Sequence, residues 1–180
     1  DDEITVGSAE KGILIKALDG ADFIDNRGTN VTISGGVGND SVVSSGKSAV
    51  IRGGAGNDYI TLSGSTHNNI IQYAAGDGKD FITGFGGDDS LEITGGTVAK
   101  TSQSGANVLV TVGSSANVIT FRNTALADLI VEDNFICGSG RNSNGARLDD
   151  ICAEKFTVTE FEQAEIFAQT ELLSLVSAEK

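Results

Sequence analysis

GGVGNDSVV at residues 35–43 returns as GGAGNDYIT at 53–61, eighteen residues further on. In each copy the glycines and the Asn-Asp pair form a tight turn, and the β-branched run behind them forms a short strand. Outward from these copies, steps of nine from Val6 land on Ile15, Ile24, Ile33, Val42, Ile51 and Ile60, an unbroken series of β-branched apolar residues. A fixed period of this kind marks a stacked repeat architecture. After Ile60 the count slips by four and resumes at Tyr73, Ile82 and Leu91, which predicts one insertion near Leu62 to Ser65. Two strand-plus-turn units complete an 18-residue coil. The expected fold is therefore all-β, a parallel two-strand β-roll over residues 1–94.

Two positions before each counted residue the sequence reads Ile4, Ile13, Asp22, Val31, Asp40, Ala49, Asp58, Ile71, Asp80 and Asp89. Successive units face opposite edges of a coil, so Asp22, Asp40, Asp58 and Asp80 are expected to stack along one edge, with Val31, Ala49 and Ile71 along the other. The Asp-edge turns read ALDGAD (17–22), GGVGND (35–40), GGAGND (53–58) and AGDGKD (75–80). Such turns aim carbonyl oxygens to one side, and each Asp adds a carboxylate, giving half a shell of hard donors. Stacking a second turn supplies about six oxygens, which suits Ca²⁺. Mg²⁺ would keep its waters, and Zn²⁺ would seek thiolate or imidazole.

Three ions are expected, between Asp22 and Asp40, Asp40 and Asp58, and Asp58 and Asp80. The turn oxygens would come from Ala17, Asp19, Gly20, Gly35, Gly36, Val37, Gly38, Gly53, Gly54, Ala55, Gly56, Asp77 and Gly78. A single turn of this composition needs no ion, but four in phase would repel across each gap unless a cation lay between them. Asp89, with only the Ile71 turn one coil before it, is expected to end the roll as a turn residue.

GGVGNDSVV and GGAGNDYIT both fit the nonapeptide G-G-x-G-x-D-x-U-x, so the chain resembles the hemolysin-type calcium-binding repeats of RTX proteins. The resemblance covers roughly residues 1–94; ALDGADFID, AGDGKDFIT and GFGGDDSLE match in part. It implies a parallel β-roll with calcium between turns and secretion from bacteria through a type I exporter, with folding only outside the cell. The opposite edge departs from the pattern, since NRGTNV (26–31), SSGKSA (44–49) and THNNII (66–71) lack the Asp. Calcium is accordingly expected on one edge.

From Thr97 the nine-residue count stops and alternation takes over. VLVTVG (108–113) and VITFRN (118–123) read as antiparallel strands joined by SSAN, with a further strand at LIVED (129–133); together they are expected to cover the open end of the roll. Cys137 and Cys152 enclose a polar 14-residue loop. In an exported protein of the kind the resemblance implies, they would form a disulfide, two free thiols being the alternative. Thr159 and Glu162 resemble a capping box ahead of Phe161, Ala164, Ala168, Leu172 and Leu175, predicting an amphipathic helix over about 160–177. It would pack on the cap, serve as the uncleaved secretion signal RTX proteins carry at this end, or both. Residues 95–180 thus read as a second region.

The 180 residues carry 25 acidic and 12 basic side chains, a net charge of −13. That balance argues against nucleic acid or an anionic membrane as partner. No apolar run approaches the roughly 18 residues of a membrane span. The acidic start is no signal peptide, and the missing initiator Met suggests a piece of a larger protein. His67, the single histidine, sits in a polar loop, so neither H-E-x-x-H nor a Ser-His-Asp constellation built on G-x-S-x-G is available, and no enzyme is expected. The expected function is that of a secreted or cell-surface calcium-binding module whose repeats fold on meeting the ion. A carbohydrate-binding or adhesive module facing an extracellular glycan or surface is the second reading. It would need exposed aromatics or a basic strip, and Arg27, Lys47 and Arg52 form the one cationic cluster apparent in the sequence.

Overall fold

The computed structural model describes residues 1–64, 68–86, 88–131 and 134–138. The expected helix over 160–177, Cys152 and His67 lie outside the described residues. Among those residues the structure is all-β, a parallel β-solenoid of about four turns continued by antiparallel strands. Ten short strands build the solenoid: β1 (Glu3–Val6), β2 (Leu14–Asp19), β3 (Phe23–Asn26), β4 (Thr32–Val37), β5 (Ser41–Ser44), β6 (Val50–Ala55), β7 (Tyr59–Leu62), β8 (Ile70–Ala74), β9 (Lys79–Thr83) and β10 (Ser90–Thr94). Odd strands pair in one sheet and even strands in the other. A parallel pair within one sheet normally needs a long crossover, but here each turn passes to the facing sheet, so a few residues suffice.

The core is one column of aliphatic residues per sheet. Ile24, Val42, Ile60 and Ile82 stack on one side and Ile15, Ile33, Ile51, Ile71 and Leu91 on the other, nearly all fully buried. Side chains alternate across a strand, so every second residue enters this narrow space, and β-branched residues fill it without losing many rotamers. Each adds about 1.5–3 kcal/mol of burial.

The register corrects the expected count at both ends of the series. Ile4, and not Val6, pairs with Ile24, so the first coil has twenty residues and Val6 lies against Asn26. Likewise Ile71, and not Tyr73, stacks on Ile51 and under Leu91, while Tyr73 pairs with Ile93. The single four-residue insertion is in fact two of two residues. One lies between β7 and β8 and the other between Ile71 and Ile82, in the AGDGKD turn itself. Both Ile71 and Tyr73 are apolar and two apart, so either fits a period-2 strand, and only pairing separates them.

Beyond the solenoid, β11 (Val98–Ser104), β12 (Asn107–Val112), β13 (Val118–Arg122), β14 (Leu129–Val131) and β15 (Phe135–Gly138) extend both sheets at one end. β13 joins β9 in parallel and β12 and β11 follow antiparallel, giving the order β1-β3-β5-β7-β9-β13-β12-β11; β15 and β14 continue the other sheet from β10. The expected cap therefore lengthens each sheet sideways, and does not lie across the end as a lid. Phe121 stacks over Ile82 in register and meets Phe85 edge-on at 4.9 Å, which carries the core into the extension. β11 and β15 were not anticipated: β11 is polar and exposed, as an edge strand should be, and so lacks the alternation that reveals a half-buried strand.

Candidate metal-binding edge

Asp22, Asp40, Asp58 and Asp80 line one edge, as expected, and all four are buried at 4% exposure or less. They form a hydrogen-bonded ladder. The amide of Asp22 donates to Oδ1 of Asp40 at 2.9 Å, that of Asp40 to Oδ1 of Asp58 at 2.8 Å, and that of Asp58 to Oδ1 of Asp80 at 3.1 Å. Asp2 heads the column, its amide donating to Oδ1 of Asp22. The nine-residue count placed Ile4 there because it assumed eighteen residues for a coil of twenty.

Each of these carboxylates thus spends one oxygen on the fold. The other oxygen, Oδ2 of Asp22, Asp40 and Asp58, is buried with no hydrogen-bond partner. A buried charged acceptor left without a partner costs several kcal/mol, and the usual escape is to bind a proton. Burial does push the carboxyl groups upward: Asp40 lies above the ordinary carboxylate range, and Asp58 and Asp80 rise to about 7. The ladder amides oppose the rise, and neighbouring Asp charges, including Asp77 beside both Asp58 and Asp80, add to it. A cation would relieve the same strain with the carboxylates ionised.

The turns supply the rest of the oxygen. In register, Leu18, Gly36 and Gly54 form one column, and Asp19, Val37 and Ala55 the next. Gly20, Gly38, Gly56 and Gly78 form a third, whose carbonyls point along the solenoid axis, so that a Cβ on Gly38, Gly56 or Gly78 would collide with the carbonyl oxygen of the glycine one coil before. Gly35 and Gly53 leave room for Oδ2 of Asp40 and Asp58 respectively, which a side chain would displace. Not every expected donor faces a gap. The carbonyls of Val37, Ala55 and Asp77 accept the amides of Gly20, Gly38 and Gly56, and that of Gly78 accepts the Val118 amide and the Tyr73 hydroxyl. Ala17 is buried in the core, and Asp19 is exposed at the end of β2. Asp77 uses Oδ2 to accept the Ala74 amide at 2.7 Å and holds Oδ1 3.8 Å from Arg52.

Leu18 was missed because the pattern wants glycine at its place. It adopts φ +76 there, and its carbonyl points at Gly36 as those of the glycines do. Among the described residues no three His, Cys, Asp or Glu side chains converge. A cation on this edge must therefore draw much of its shell from carbonyls, which hard ions such as Ca²⁺ accept and Zn²⁺ does not favour.

Close approach makes the glycines testable. Gly56→Ala, which adds backbone strain at φ +151 to a collision with the Gly38 carbonyl, is expected to destabilise by about 4 kcal/mol. Gly76→Ala, with φ +112 but nothing within 4 Å of the new methyl, should cost only about 1–2 kcal/mol. Denaturant melts of the two variants check the ratio; equal losses would mean that strain alone matters.

The opposite edge also departs from expectation. Asn69 and Asp89, not Ile71, continue the column from Ala49: the Ala49 amide donates to Oδ1 of Asn69 and the Asn69 amide to Oδ1 of Asp89, both at 2.9 Å. Nδ2 of Asn69 is buried without a partner, where the Asp edge has Oδ2. The same ladder geometry thus presents a donor on this edge and acceptors on the other. A second ladder escaped the sequence reading: the Asn57 amide donates to Oδ1 of Asn39, and the Lys79 amide to Oδ1 of Asn57. Repetition of Asn before Asp at an eighteen-residue interval was its signal.

The chain matches no protein-family model and no curated protein.

Proposed function

We propose that this chain is a calcium-binding β-roll module, the non-enzymatic C-terminal part of a larger exported protein, which folds on binding Ca²⁺ outside the cell. Three unpartnered buried carboxylate oxygens, on Asp22, Asp40 and Asp58, carry this reading: among the described residues Asp40 and Asp58 have no cation paired with them, and Asp22 has only the Asp1 amino group, 3.7 Å from its other oxygen. The gaps flanking Asp40 and Asp58 would hold the ions, with axial carbonyls such as those of Gly20, Gly38 and Gly56 completing the shell. Bound calcium supplies charge neutralisation between coils. The residues themselves orient the oxygens, exclude water and lock the register through the Asp ladder.

The rest of the proposal rests on the resemblance to RTX repeats: bacterial secretion by a type I exporter, an extracellular or cell-surface location, and a Cys137–Cys152 disulfide suited to that compartment. Cys137 is buried on β15; a thiol titration without reductant should find no reactive thiol. In cytosol, where free calcium is scarce, glycine entropy and the net charge of −13 oppose folding. Outside, ion binding to the folded state alone pulls the equilibrium over by mass action. Circular dichroism during a calcium titration of chelator-treated protein tests the reading. A cooperative gain of β signal is expected at roughly 10⁻⁴–10⁻³ M, the range of extracellular modules. A chelated protein already fully folded, with no heat of calcium binding, would remove it.

A further inference from the structure

The sequence pointed to Arg27, Lys47 and Arg52 as the basic cluster, but Arg27 is paired with Asp25 at 2.6 Å and Arg52 lies 3.8 Å from Asp77. That leaves Lys47 alone of the three without an ion pair among the described residues, and three other cations without one share a single sheet face. On the outer face of the eight-stranded sheet, β7, β9, β13, β12 and β11 contain one acidic residue, Asp80, and it faces inward. This is unusual ground in a chain of net charge −13.

Register shows how that face is laid out. Tyr59, Phe81, Thr120, Leu109 and Ser102 form a row across the five strands. Tyr59 and Phe81 are stacked with centroids 4.9 Å apart, and Tyr59 is 45% exposed. On one side of the row Lys79, Val118, Thr111 and Lys100 align, which puts the two exposed lysines three strand spacings apart, about 14 Å. On the other side stands Arg122, its guanidinium 4.5 Å from the Phe81 ring centre and 5.5 Å from that of Tyr59. Among the described residues none of these three cations forms an ion pair.

We propose that this face docks an acidic polysaccharide running along the solenoid axis. Tyr59, the exposed ring of the pair, offers ring surface to the C–H side of sugar rings, with Phe81 stacked against it. Lys79 and Lys100 on one flank and Arg122 on the other meet carboxylate or sulfate groups, Arg122 being held by its ring contact with its planar fork available for two parallel hydrogen bonds. The strong acidity of the whole chain does not forbid this. The nearest acids, Asp58, Asp77 and Asp80, adjoin this face in sequence but are buried in the edge, where calcium would neutralise them, and the far sheet lies behind the core.

The test uses the full chain in constant calcium, its fold verified by circular dichroism, with dextran sulfate and uncharged dextran as probes and oligo-dT as the non-saccharide polyanion. Micromolar binding of dextran sulfate is expected, with dextran at least tenfold weaker. Lys79→Gln/Lys100→Gln/Arg122→Gln should lose at least tenfold, Tyr59→Ala about fivefold, and Lys11→Gln/Lys16→Gln/Lys47→Gln less than twofold. Equal loss in the two triple variants, or no loss in the first, overturns the proposal. So does oligo-dT binding as tightly as dextran sulfate, which would assign the face to nucleic acid. This face shares no residue with the Asp ladder, so a failure here leaves the calcium titration unaffected, and a failure there appears as loss of calcium-dependent folding with this binding intact.

Discussion

Asp58→Asn is expected to lower the melting temperature by about 10–20 °C in calcium and, in chelator at pH 8, to restore part of the β signal that the unsubstituted chain lacks. The variant keeps Oδ1, which accepts the Asp40 amide at 2.8 Å, and so retains the ladder. It loses only the charge and the unpartnered Oδ2. In calcium, Asp58 serves the gaps on both sides. A site filled at a hundred times its dissociation constant stabilises by about 2.7 kcal/mol, so two lost sites cost about 5 kcal/mol, and at about 2–4 °C per kcal/mol for a chain of this size the shift follows. In chelator the same substitution removes a buried carboxylate whose pKa burial has pushed up to about 7, and which is therefore ionised at a cost at pH 8. Asn69 shows that the fold accepts an amide at this kind of position. Thermal melts in 10 mM calcium chloride and circular dichroism in excess chelator decide the matter; a variant that melts lower in calcium and gains no β signal in chelator would make Asp58 a structural residue and nothing more.

The pH dependence of stability should likewise reverse sign with calcium. In the chelated protein Asp58 and Asp80 have folded pKa values of about 7, and Asp40 is raised as well, against about 3.9 in an unfolded chain. The fold then binds protons more tightly than the unfolded chain. Its contribution is complete below about pH 4 and is lost as pH rises through 7, so chelated protein is most stable at mildly acidic pH and weakest at pH 8. Calcium needs these groups ionised, so protons compete with it, and in calcium the protein should lose stability as pH falls from 8 to 5. Denaturant melts in calcium and circular dichroism in chelator, each at four pH values, would give stability and β content that move in opposite directions with pH. Movement in the same direction would separate the carboxylates from the ion and defeat the reading of the edge as a cation site.

Much of this architecture is local and therefore legible. A period of nine fixes strand, turn and facing, and Asp22, Asp40, Asp58 and Asp80 fall on one edge because that edge is reached every second unit. The counting failed where a turn changed length. Ile4 and Ile71 hold the positions assigned to Val6 and Tyr73, and each error moved the column by two residues, hiding Asp2 on one edge and Asn69 on the other. Period-2 alternation is blind to a shift of two, since the same side chains still face inward. The sharing of each carboxylate, one oxygen on the ladder and one left over, has no sequence signature, because it depends on the distance between coils.

By itself, then, the chain's order of residues determined a two-sheet β-solenoid with a column of aspartates on one edge, since repetition at a fixed interval must stack like on like. Tertiary structure alone decided the rest. Residues 59, 79, 81, 100 and 122 meet on one acid-free face because β13 pairs with β9 and draws β12 and β11 after it. That Lys79, Lys100 and Arg122 share a face follows from strand neighbours far apart in the chain, and charge in water acts only over such short distances in space.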